Sequence, residues 1–157
     1  MPRLSKDCHQ YCLAVVYSAG KVVLDLGCGY GYGPYMLSLN AGRVEGIDEE
    51  QIQTAKARYT CKSLDFHQAE QIDHISGSQR YDLVVIFEVI KHVRRQKLLL
   101  QLVQRAFNGG HASPVYAQPS LHPFHSSTPY HVHELFQREL LNLVEKYSLL
   151  QHCLGKV

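Results

Sequence analysis

An acid followed by three evenly spaced glycines, Asp25-Leu26-Gly27-Cys28-Gly29-Tyr30-Gly31, is the feature of this chain best suited to chemistry. The apolar run Val22-Val23-Leu24 leads into it and is bounded by Gly20 and Gly27, too short for an independent helix. It reads as a strand buried on both faces, so the glycines fall at its carboxyl end, where open α/β sheets receive ligands. Glycine there lets the chain turn tightly and a ligand approach the main chain, while N–H groups at the next helix start stay free to donate. Two phosphate-binding readings fail on spacing. No Gly-Lys-Ser/Thr occurs, and the third glycine of a GxGxxG pattern is Tyr32 counted from Gly27 and Pro34 counted from Gly29. A nicotinamide-dependent oxidoreductase is disfavoured on that ground.

A second carboxylate belongs with the first. Arg43-Val44-Glu45-Gly46-Ile47-Asp48 reads as a strand that ends in an acid, and Asp48 lies 19 residues beyond Gly29. In a strand-helix-strand unit the two strand tips are neighbours, so Asp48 can accept the hydroxyls of a ribose. The same residue can start a helix, since Asp48-x-x-Gln51 has the form of a capping box ahead of Ile52, Ala55 and Tyr59 at helical spacing. Further on, Glu88 and His92 follow a fourth strand with the spacing of one helical turn, an acid and an imidazole able to move protons. His122, His125, His131 and His133 sit in a loop containing Pro123 and Pro129, but their spacing matches no zinc signature, and a metal is not expected.

From Val23 to Gly33 the chain resembles the first motif of the class I S-adenosylmethionine-dependent methyltransferases: an acid, one residue, then Gly-x-Gly-x-Gly. Leu64-Asp65-Phe66-His67 leading into Gln68-Ala69-Glu70, and residues 81–87 leading into Glu88-Val89-Ile90-Lys91-His92, resemble later motifs of that family in the right order. Ala106-Phe107-Asn108-Gly109-Gly110 is similar to its Lys-Pro-Gly-Gly turn, with Asn108 where proline is usual. Pro129-Tyr130-His131-Val132-His133-Glu134-Leu135 resembles a Pro-Phe-His-x-x-Glu-Phe segment of its small-molecule and glycan-associated members. The resemblance covers roughly residues 20–155 and implies S-adenosylmethionine as cofactor. Gly27, Gly29 and Gly31 would receive its methionyl part with Asp25 near the ammonium, Asp48 would hold the ribose, and Ala69 and Glu70 would flank the adenine. Cys28, Glu49, Gln68 and Phe87 complete the expected cofactor-binding set, Gln68 standing where the family often has Asp. Glu88, His92 and His131 are the candidate catalytic residues.

The elements that must position these groups follow from the pattern. Strands near residues 22–26, 43–48, 64–67, 81–87, 114–118 and 149–154 alternate with helices, which implies an α/β, doubly wound, mainly parallel sheet of about six strands with helices on both faces. The chain ends before the seventh, antiparallel strand that the resemblance implies, so the expected domain, residues 1–157, is a minimal or truncated Rossmann-like methyltransferase fold. A short amphipathic helix over residues 12–19 leads in, a helix over residues 134–147 carries Phe136, Leu140, Leu143, Val144 and Tyr147 on one face, and the histidine-rich loop is expected as a substrate lid.

Composition sets limits. At 157 residues with 45% hydrophobic and 19% charged residues, the chain can bury one core. A formal charge of +2 is too small to argue for nucleic acid, because only Arg94, Arg95 and Lys97 gather, at the start of a helix where a solvated face explains them. No apolar run approaches the roughly 18 residues that span a membrane. Five cysteines without zinc spacing suggest free thiols and a reducing, cytoplasmic setting. The reading is therefore a methyltransferase acting on a small-molecule acceptor by in-line displacement, the alternative being a catalytically inactive methyltransferase-like binding module.

Overall fold

The structure, a computed structural model, describes residues 6–68, 81–87, 89, 92–106 and 115–117. Helix α1 (Lys6–Tyr17) precedes β1 (Val22–Leu26), α2 (Tyr32–Ser38), β2 (Arg43–Asp48), α3 (Ile52–Arg58) and β3 (Leu64–Gln68). Then come β4 (Leu83–Ile86), α4 (Gln96–Arg105) and β5 (Val115–Ala117). The five strands form one sheet in the order β3-β2-β1-β4-β5, and every pairing is parallel. The expected helix and sixth strand over residues 134–154 lie outside the described residues, as does the loop expected as a lid.

The strand assignment rests on burial. Val23, Leu24, Asp25 and Leu26 are all buried, as are all four residues of β4, so apolar runs rather than alternating ones mark strands covered on both faces. Successive side chains still divide between the faces. Leu24, Leu26, Ile47, Val84 and Ile86 pack with Leu99, Leu100 and Val103 of α4. Val23, Val44, Leu83 and Val85 pack on the other side with Tyr11 and Ala14 of α1, Leu37 of α2 and Ile52 and Ala55 of α3. Asp25 belongs to the second face by its alternation with Leu24 and Leu26, a carboxyl group set into an otherwise apolar layer.

At the opposite end of the strands from the glycine loop, polar groups tie the sheet together. Tyr81 donates to buried Glu45 Oε2 at 2.7 Å, Arg43 pairs with Glu45 at 2.9 Å and with Asp65 at 3.3 Å, and the backbone N–H of Val22 donates to Asp82 at 2.9 Å. Burial, then the bond to Glu45, hold the Tyr81 phenol above its ordinary range, so it stays protonated and keeps its proton for Glu45. Arg94, Arg95 and Lys97 are exposed, as a solvated helix start requires.

The strand order reverses at β1, whose neighbours are β2 on one side and β4 on the other. In parallel sheets a crevice opens at such a switch point, beyond the carboxyl ends of the strands. The glycine loop leaves β1 at that place, and Phe87 leaves β4 beside it.

Candidate functional site

The loop after β1 is held open by its main chain. Gly27, Gly29 and Gly31 all have positive φ, at 73°, 54° and 85°. Gly27 N–H and Cys28 N–H both donate to Ile47 O, at 2.8 and 2.9 Å, which pins the loop to the tip of β2. The glycines differ in purpose. A Cβ on Gly31 would lie 2.7 Å from Ala55 Cβ and 2.8 Å from Phe66 Cζ, so its bareness lets the loop pack down on α3 and β3. A Cβ on Gly29 would meet nothing within 4 Å, which leaves a stretch of open main chain at the centre of the loop.

Asp48 closes the connection between the two strand tips. Its Oδ2 accepts the Gly29 N–H at 3.0 Å, and its Oδ1 accepts the N–H groups of Glu50 at 2.9 Å and Gln51 at 3.0 Å. The capping-box expectation is corrected here: α3 starts at Ile52 with Gln51 as N-cap and no side-chain cap, because Asp48 spends its oxygens on the turn before the helix. A carboxylate offers about four lone-pair positions and three are used. One remains on Oδ2, so a ribose diol needs a second acceptor beside Asp48 or release of the Gly29 bond.

Between these tips lies a cleft of about 380 Å³. Asp48, Glu49, Glu50 and Gln51 form its β2 wall, while Gly27, Phe87, Val89 and His92 form the wall beneath β1 and β4. The size is that of a small-ligand site, and the carboxylates of one wall favour a cationic ligand. Gln68 is exposed and donates through Nε2 to Glu49 O at 2.9 Å, which braces the β2 wall from β3 and leaves the amide oxygen as its acceptor. His92 is exposed at the cleft, and its N–H donates to Val89 O at 2.8 Å.

Asp25 lies beneath the loop, paired in register with Gly46 of β2. Its carboxyl group is fully buried, and its Oδ2 accepts the Tyr11 hydroxyl at 2.9 Å. Oδ1 has no hydrogen-bond partner among the described residues, a deficit that costs on the order of 1–3 kcal/mol until a donor is supplied. Burial raises the Asp25 pKa to about 7, against the lowering effect of the Tyr11 bond and with a further push from the Asp48 charge. Burial, then Asp25 and Asp48, push the Cys28 thiol well above its ordinary range, so its sulfur is an inert neighbour of the loop rather than a nucleophile.

The structure thus brings together Asp25, Gly27, Cys28, Gly29, Gly31, Asp48, Glu49, Gln68, Phe87 and His92 at one end of the sheet. Ala69, Glu70, Glu88 and His131 lie outside the described residues. Among the described residues no cluster of three or more His, Cys, Asp or Glu side chains could hold a metal. Sequence reasoning missed Tyr11, Glu50, Gln51 and Val89. The first is 14 residues from its partner and on a helix without motif, while Glu50 and Gln51 could have been found as the residues directly after the strand-end acid.

Comparison with known proteins shows the family. The profile of a methyltransferase-domain family matches residues 17–142, and the chain belongs to that family, the class I S-adenosylmethionine-dependent methyltransferases. It is 30% identical over 132 residues to a probable S-adenosylmethionine-dependent methyltransferase of Mycolicibacterium smegmatis, covering 81% of this chain and 51% of that protein. It is 33% identical over 87 residues to a ubiquinone biosynthesis O-methyltransferase of Rickettsia bellii, covering 53% of this chain and 36% of that protein. The chain therefore spans about half or less of the length of these curated relatives. Among solved structures, a putative methyltransferase of Haloferax volcanii in complex with its Trm112 activator superposes with a TM-score of 0.70 at 18% identity, over 88% of this chain and 67% of that one. Magnesium protoporphyrin IX methyltransferase of Synechocystis with bound S-adenosylhomocysteine gives a TM-score of 0.66 at 14% identity, over 88% and 72%. At these identities the structural likeness speaks for the fold alone.

Proposed function

We propose that this chain binds S-adenosylmethionine in the cleft between the β1 and β2 tips and transfers its methyl group to a small-molecule acceptor. The observation that carries the reading is the direct contact of Gly29 N–H with Asp48 Oδ2 at 3.0 Å, at the mouth of a cleft walled by Phe87, Val89 and His92. The residues fit such a ligand on three counts: bare main chain at Gly29, a spare acceptor position on Asp48, and a buried Asp25 oxygen that lacks a donor.

Bound there, S-adenosylmethionine would supply an electrophilic sulfonium methyl: the acceptor's nucleophile attacks its carbon in line, and the carbon–sulfur bond breaks with the electron pair leaving on sulfur as S-adenosylhomocysteine. The chain has to hold and exclude. Asp48 accepts a ribose hydroxyl, with Glu49 as the neighbouring second acceptor; Asp25 accepts from the ammonium; Phe87 and Val89 keep water from the reacting centre. Gln68 braces the β2 wall, and Ala69 and Glu70, next in sequence, are the residues proposed to contact the adenine. Proximity and exclusion of this kind contribute roughly 7–11 kcal/mol to a barrier. His92, at the cleft, is the residue placed to take a proton from the acceptor, with Glu88 and His131 as further candidates. The ubiquinone biosynthesis O-methyltransferase relatives support a small organic acceptor. No helix of the described residues is long and apolar enough to cross a membrane, and the thiol content supports a cytoplasmic setting.

The test is S-adenosylhomocysteine release from the purified chain with S-adenosylmethionine and a panel of small phenols, amines and carboxylic acids. Release that depends on one acceptor class supports the reading. Donor binding without turnover on any acceptor supports the binding-module alternative, and absence of both removes the cofactor from the cleft.

A further inference from the structure

Helix α1 reaches Asp25, beneath the glycine loop, through the side chain of Tyr11. The Tyr11 hydroxyl donates to Asp25 Oδ2 at 2.9 Å, and both groups are buried. The Tyr11 ring meets Phe87, a wall of the cleft, edge-on with centroids 4.9 Å apart, and stands 6.4 Å from Tyr32 in a second edge-on arrangement. It fills the space left by Gly33, where a Cβ would overlap the ring. Contacts with β1, with the residue after β4 and with α2 therefore fix the phenol, and the phenol fixes one oxygen of Asp25. The other oxygen, Oδ1, is buried and has no hydrogen-bond partner among the described residues.

We infer that Tyr11 is a positioning residue for the methyl donor: by occupying Oδ2 and locking the carboxyl rotamer, it reserves Oδ1 of Asp25 for the ammonium group of the methionyl part. This rests on the S-adenosylmethionine site proposed above. A helix outside the nucleotide-binding strands thereby controls how well the amino-acid end of the ligand is held. Among the described residues, the titratable groups that act on Asp25 are Tyr11 from α1, Cys28 from the loop and Asp48 from β2. Cys28 stays a neutral thiol, Asp48 raises the Asp25 pKa, and among these the Tyr11 bond favours the charged carboxylate. Removing the hydroxyl should therefore make the carboxylate harder to form and the ammonium harder to hold at a given pH.

The experiment measures S-adenosylhomocysteine and its desamino analogue, which keeps the nucleoside, sulfur and carboxylate, by calorimetry against wild type, Tyr11→Phe and Asp25→Asn across pH 5.5–8.5. Tyr11→Phe keeps the ring and its packing, and its thermal midpoint reports that it folds. Expected for Tyr11→Phe is about threefold to tenfold weaker binding of S-adenosylhomocysteine near neutrality, with the acidic fall-off in affinity moved to higher pH. Binding of the desamino analogue should be unchanged. Asp25→Asn should lose the pH dependence and nearly all discrimination between the two ligands. Unchanged affinity and pH profile in Tyr11→Phe overturn the inference, and so does equal weakening of both ligands, which marks a packing role. If wild type binds neither ligand, the cofactor site itself has failed and the role of Tyr11 falls with it; binding of both by wild type with no effect of Tyr11→Phe sinks the tyrosine alone.

Discussion

A carboxyl group with one oxygen bonded and the other buried without a partner carries a pH signature. The Asp25 pKa is raised to about 7 in the fold from an ordinary 3.8. The native state then binds more protons than the unfolded chain between those values, so the contribution of this group is full below pH 3.8 and is lost as pH rises to about 7. An amide at this position does not titrate. Wild type should therefore gain thermal stability relative to Asp25→Asn when pH is lowered from 8 to 5.5, by on the order of 5 °C in the difference of midpoints. A constant difference across that range would mean that Asp25 is charged throughout. At Gly31 the constraint is steric and conformational: φ is 85°, and Ala55 and Phe66 stand where a Cβ would go. Gly31→Ala should cost about 1–3 kcal/mol in urea unfolding, the range for overpacking a tight site. An unaltered urea midpoint would show that the loop relaxes freely.

At the scale of elements, the sheet is held at both ends by polar contacts that cross strands. Asp48 joins the β1 loop to β2 at one end, and Tyr81, Glu45 and Arg43 join β4 to β2 at the other. Tyr81→Phe removes a hydrogen-bond donor from buried Glu45 and should destabilise by about 1–2 kcal/mol, seen as a lower urea midpoint with the same slope. A midpoint within error of wild type would show that the Tyr81 bond contributes nothing to stability. β1 and β4 were legible because burial on both faces demands a short apolar run, whereas β2 was legible from its strand-end acid and β3 from its order among the motifs, its residues alternating between buried and exposed. The glycine loop and Asp48 were legible because strand tips in a parallel sheet are brought together by the crossover between them. What the sequence could not disclose is long-range and side-chain specific. Nothing in the residues around Tyr11 announces Asp25, and Asp-x-x-Gln looks the same whether the acid caps a helix or binds the turn before it.

For the whole molecule, the parallel order β3-β2-β1-β4-β5 puts the switch point, the bare main chain and the carboxylates in one place. The charge is arranged to match: the protein is nearly neutral overall at +2, yet Asp48, Glu49 and Glu50 gather at the cleft, as a cationic sulfonium ligand favours. A ligand that binds only the folded state stabilises it by about 2.7 kcal/mol at a hundred times its dissociation constant. S-adenosylhomocysteine at saturating concentration should therefore raise the thermal midpoint by several degrees, and NADH, whose glycine fingerprint the loop lacks, should leave it in place. A rise with NADH alone would return the chain to the oxidoreductase reading.

Titration calorimetry of S-adenosylmethionine into wild type and Asp48→Ala addresses the pairing of glycine loop and strand-end acid most directly. The expected result is one molecule bound per wild-type chain and at least about tenfold weaker binding by the variant, the loss of roughly 1.4 kcal/mol or more from a charge-assisted hydrogen bond. Equal affinity in the two proteins, or no binding by wild type, would contradict it.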